Sequence, residues 1–185
     1  QQLGADLATG TEWAQVQRLH GELASQPVRA DANATFGAHT AFVDAALALL
    51  NQVADGSNLT LDPDVETYYL MDAALFKTPQ LIEQIGKLRG LGNAILRSGQ
   101  KSPAQHDVLT EANAFAMAHQ AGAEAALKRA VAADPSIAAE LDVAAGNAAS
   151  AAFLQRVKQQ VLGAELQGEA PAAPIEKKRS APQER

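Results

Sequence analysis

At 185 residues with a formal net charge of −6, the chain fits one domain and lacks the basic stripe that phosphate neutralisation needs, which argues against nucleic acid as a partner. The absence of cysteine removes disulfides, thiolate catalysis and cysteine metal sites. Hydrophobic residues make up 47% of the chain but aromatics only 4%, with alanine supplying much of the apolar count, a composition suited to closely packed helices and therefore to an all-α fold.

Along the chain, Gln1 to Ala8 reads as the end of a helix, broken at Gly10. Thr11 and Glu12 start a second stretch, with Trp13, Val16, Leu19 and Leu23 at helical spacing, stopped by Pro27. Asp31 or Asn33 caps a third, carrying Phe36, Phe42, Val43, Ala46, Leu47, Leu50 and Val53 up to the turn signal Asp55-Gly56-Ser57. The longest uncharged apolar-leaning segments, Ala45–Ala54 and Val143–Leu154, fall short of the roughly 20 residues that span a bilayer. Gln1 is not followed by the basic region and long apolar core of a signal peptide, so the chain as given is expected to be soluble.

The most informative stretch runs from Asn58 to Arg97. Asp62 is suited to cap a helix, Pro63 to fill its first position, and Asp64 and Glu66 to meet the positive end of its dipole. Leu75, Leu81, Ile82, Ile85, Leu88, Leu91, Ile95 and Leu96 then form a stripe one face wide, predicting a rod about 50 Å long at about 1.5 Å per residue. Pro79 interrupts it and predicts a bend near Leu75 to Thr78. Gly86, Gly90 and Gly92 suggest close approach of a neighbouring backbone or a ligand.

Ser98-Gly99 closes this helix, and Ser102-Pro103 opens another, with Val108, Leu109, Ala112, Phe115 and Ala116 as its buried stripe. Asp134-Pro135 repeats the same logic for a last helix from Ile137 through Leu141, Leu154 and Val157 to Val161. The expected architecture is an up-and-down four-helix bundle over residues 1–162 with long, partly kinked helices, followed by a flexible tail over 163–185.

The runs S-N-L-T-L-D-P-D-V-E-T-Y-Y-L-M-D and P-Q-L-I-E-Q-I-G-K-L-R-G-L-G resemble a segment of the extracytoplasmic all-helical sensor domain of bacterial transmembrane receptors, chiefly methyl-accepting chemotaxis proteins and some sensor histidine kinases. The similarity is clearest over Asn58 to Gly92 and weaker over Gly4 to Leu162. It implies a periplasmic domain of an inner-membrane receptor, dimeric, sensing a small solute or a solute-binding protein. The chain lacks the membrane helices and signalling coil of that plan, so it would be a fragment of a larger helical sensor.

Arg89 is the candidate anchor for an anionic ligand, since a guanidinium grips an oxyanion with two hydrogen bonds and burial against Ile85 and Leu88 would strengthen them. The plainer reading, a salt bridge to Asp or Glu on a neighbouring helix, is the favoured one, because structural ion pairs imitate functional sites. Tyr68 and Tyr69 are candidates for a pocket at the bundle end, with Arg97 assisting, against the plainer reading of one tyrosine in the core and one at its rim. His20, His39, His106 and His119 show neither H-x-x-x-H nor E-x-x-H spacing, so no metal or other cofactor is expected. Without a nucleophile elbow or phosphate loop, neither is catalysis.

Overall fold

The computed structural model describes residues 2–29, 31–141 and 143–163. Among the described residues the fold is all-α, built of long helices and turns with no strand. The expected tail lies outside the described residues from 164 onward.

α1 (Gln2–Asp6) ends where Ala8 adopts φ 53° and the Thr9 N–H returns to the Gly4 carbonyl at 3.0 Å. α2 (Gly10–Ser25) and α3 (Ala32–Gly56) form a hairpin, joined through a turn in which the Arg29 N–H donates to Thr35 Oγ1 at 2.9 Å. Asp31 caps α3, its carboxylate accepting from the Ala34 N–H at 2.7 Å. The far end of α3 meets the α1 turn closely: a Cβ on Gly56 would lie 2.9 Å from the Leu7 carbonyl carbon.

Beyond a short 3₁₀ turn (Leu59–Leu61), helix resumes as α4 (Val65–Met71), passes through a π-helical segment (Asp72–Lys77) and continues as α5 (Thr78–Ser98). This start differs from the sequence expectation. Asp62 spends its carboxylate on the Asp64 N–H, at 3.0 Å, in a two-residue turn, so Pro63 stays outside the helix and winding begins at Val65. The irregularity expected from Pro79 is present as the π segment just ahead of it. Proline has no N–H for the Leu75 carbonyl and its ring crowds that position, and the wider turn relieves both.

Gly99, at φ 68°, ends α5 by returning its N–H to Ile95 at 2.9 Å. α6 (Pro103–Ala133) then starts with a capping box: the Gln105 N–H donates to Ser102 Oγ, and the Ser102 N–H to Gln105 Oε1. Asp134 does not cap the last helix as expected. It accepts from the N–H and hydroxyl of Ser136, opening a 3₁₀ turn (Pro135–Ala139), and α7 (Val143–Val157) begins later and ends in a second π segment (Lys158–Leu162).

The core follows a heptad. Leu81, Leu88 and Ile95 recur every seventh residue on α5 and meet Leu109, Ala112 and Ala116 of α6, with Leu154, Val157 and Val161 from α7 and its extension closing the third side. α6 packs along both α5 and α4, antiparallel to their common axis, and alanines at 123, 126 and 130 continue its buried line. The α2–α3 hairpin lies outside this core, touching it through α3 against α5 and the first π segment.

Candidate functional site

Between the start of α3 and the α5–α6 tip lies a cleft of about 1120 Å³. Local sequence explains its walls. The cap at Asp31 fixes where α3 begins, which brings Phe36 over Gly90, where a Cβ would sit 3.8 Å from the Phe36 ring. The Gly99 stop and Ser102 cap fix the tip opposite, so Leu91 and Ala94 of α5 and Val108 of α6 complete an apolar lining.

Polar groups ring this lining. Arg29 donates from Nη1 to Gln26 Oε1 at 3.3 Å, while its Nε is buried and has no acceptor among the described residues. His39 Nε2 lies 3.2 Å from the Pro27 carbonyl. Lys101 Nζ donates to the carbonyls of Val161 and Leu162, at 2.9 and 3.0 Å, placing its charge at the negative end of the last helical segment. The cleft thus joins an apolar floor to a guanidinium that still holds a free donor, a combination suited to an amphipathic carboxylate or similar oxyanion.

The residues singled out from sequence are dispersed. Arg89 is exposed and lines neither this cleft nor the groove described below. Its expected burial against Ile85 and Leu88 fails for a reason of helical phase: the buried seam is Leu81, Leu88 and Ile95, and Arg89 stands one residue, about 100°, further round with Ile82 and Leu96, which are 62% and 52% exposed. Arg97 is exposed as well. Tyr68 and Tyr69 stack edge to face with ring centroids 5.3 Å apart. Tyr69 Oη accepts from Arg129 Nη1 at 2.9 Å, and the guanidinium carbon of Arg129 lies 5.2 Å from the ring centre. Along one helical run, Tyr69 and Arg89 stand about 30 Å apart at about 1.5 Å per residue, so the tyrosines and the two arginines do not form one pocket.

Sequence reasoning passed over Arg29 and Arg129. Arg29 sits in a turn without periodicity; only its place between Pro27 and the Asp31 cap marks it as held in position. Elsewhere, burial and then Lys77 hold His119 below the ordinary histidine value. Burial pushes the Glu83 carboxyl up, opposed by Lys87, whose Nζ lies 3.4 Å away. Among the described residues no three His, Cys, Asp or Glu side chains gather as a metal-holding group, and no helix is long and apolar enough to cross a membrane. No family model, curated protein or solved structure matches the chain.

Proposed function

We propose that this chain is the ligand-recognising input domain of a bacterial transmembrane receptor of the chemoreceptor type, residing in the periplasm and binding a small amphipathic acid. The observation that carries the reading is the apolar cleft between α3 and the α5–α6 tip, with the Arg29 Nε donor buried at its edge and lacking an acceptor among the described residues. The resemblance over Asn58 to Gly92 and the long antiparallel helices support the receptor context. A carboxylate on Arg29, with its carbon skeleton against Phe36, Leu91 and Val108, ties the hairpin to the core.

Such a ligand favours the arrangement in which α3 is drawn onto α5, and its leverage equals its differential affinity for the two arrangements. A tenfold preference is worth about 1.4 kcal/mol. Lys101 connects the cleft to the end of α7, so a displacement of the tip is carried to the Val161 and Leu162 carbonyls. From there an axial shift passes to segments outside this sequence. Arg89 and Arg97, exposed along α5, are left to contact a solute-binding protein or a second copy rather than a buried solute.

The test is a thermal-shift screen against benzoate, hexanoate, succinate and nitrate. Ligand at 100 times its dissociation constant stabilises by about 2.7 kcal/mol, and Arg29→Ala should abolish the shift while Arg89→Ala preserves it. The absence of any shift from a folded domain, or a shift indifferent to Arg29, contradicts the proposal. Histidine-kinase output shares this input domain and differs only downstream.

A second reading, a structural or dimerising helical module, is favoured by the exposed Ile82 and Leu96 on α5. Sedimentation decides it: a dimer that Ile82→Glu dissociates, in a chain that binds none of the acids, supports the module over the sensor.

A further inference from the structure

A second groove, of about 710 Å³, lies between α6 and the end of α7 with its π segment. It shares no lining residue with the first cleft. At its base Asn113 is only 8% exposed. Its Nδ2 reaches the Met117 sulfur at 3.7 Å, a weak acceptor, and its Oδ1 is buried with no donor among the described residues. A buried amide oxygen without a partner is costly, and leucine, with the same number of side-chain heavy atoms, would remove that cost, so an asparagine at this position of the helix asks for a reason.

The surroundings supply one. Leu154 and Met117 give an apolar floor, and Gln155 and Gln159 add carboxamides at the rim. Glu124 and Lys158 contribute one charge of each sign, and Glu124 already holds Lys128 at 2.6 Å, so the lining attracts neither anions nor cations. Gln159 and Lys158 stand on the π segment, a helical irregularity common at functional sites.

We propose that this groove binds a small neutral molecule that donates an N–H or O–H hydrogen bond to Asn113 Oδ1. Further hydrogen bonds run to the carboxamides of Gln155 and Gln159, and the carbon skeleton rests on Leu154 and Met117. Amides and polyols share this chemistry. The site does not depend on the acid-binding reading of the first cleft.

The experiment is a nuclear magnetic resonance titration of the whole chain with acetamide, N-methylurea, glycerol and ribitol, following the side-chain amide signals of Asn113, Gln155 and Gln159. The expected result is a saturable shift of these signals with at least one probe, the amide and hydroxyl pairs telling the two sources apart. Asn113→Leu should bind about tenfold more weakly, equivalent to about 1.4 kcal/mol. Gln155→Ala, at an exposed position, should also weaken binding and decides the matter if Asn113→Leu does not fold. No saturable shift with any probe, or binding unchanged in the variants that fold, overturns the assignment.

Discussion

The α5–α6–α7 core and the α2–α3 hairpin are both helical and rich in small side chains, but they bury very different surfaces. The core encloses Leu88, Ile95 and Leu109 almost completely, with Leu154 and Val161 close behind. Within the hairpin, α2 has no buried residue, and α3 has only Ala54, near its end. Burial of apolar area is the main term holding helices together, so the core is the cooperative unit and the hairpin is held more weakly. The functional consequence is that the proposed acid-binding cleft has one firm wall, α5 and α6, and one compliant wall, α3. A ligand there acts chiefly on the element that is cheapest to move.

The largest expected effect comes from attacking the firm wall. Leu88→Ala, at a position 1% exposed, should cost about 2–5 kcal/mol and lower the thermal midpoint of the whole domain. Calorimetry checks this, and a change confined to the hairpin would refute the division. Gly56→Ala strikes the other region. Its Cβ would enter the Leu7 backbone, so a loss of about 1–3 kcal/mol is expected. Hydrogen exchange should locate that loss in α1 and the C-terminal half of α3, with α6 still protected.

A smaller effect, of opposite sign, is expected at Ala8, held at φ 53°. Glycine adopts that geometry without the Cβ penalty, so Ala8→Gly should gain about 0.5–1 kcal/mol in urea unfolding. The smallest is a pH dependence at a partly buried position of α6. Burial first, and Lys77 second, hold the folded-state pKa of His119 below its ordinary value of about 6.5. The unfolded chain therefore takes up this proton more readily. The contribution of His119 to stability is complete above about pH 6.5 and is lost as pH falls through the lower, folded-state pKa. His119→Gln should flatten that part of the curve of thermal midpoint against pH.

Legible and illegible signals lie side by side in the α4–α7 part of the chain, while in the hairpin the Asp31 cap appears as its chemistry predicts. Gly99, the Ser102-Pro103 cap and the heptad of Leu81, Leu88 and Ile95 are local signals, and each appears where its chemistry places it. Asp62 and Asp134 were harder to read because a short carboxylate can cap a helix or close a two-residue turn, and both do the latter. The same ambiguity governed Arg89. Two heptads run along α5 one residue apart, and nothing in the spacing says which faces inward; α6 and α7 settle it in favour of Leu88. Arg29 and Asn113 gave no local signal. One lies in a turn and the other among alanines, and only tertiary packing buries the Arg29 Nε and the Asn113 Oδ1 without partners among the described residues.

The central claim, that an acid in the first cleft fastens the compliant wall to the firm one, is tested most directly by native-state hydrogen exchange with and without the tightest-binding acid of the screen. The account predicts slower exchange in the first half of α3, around Phe36 and His39, with little change in the already protected α6, and no such slowing in Arg29→Ala. Equal exchange in α3 with and without the bound acid, or slowing that persists in Arg29→Ala, would contradict it.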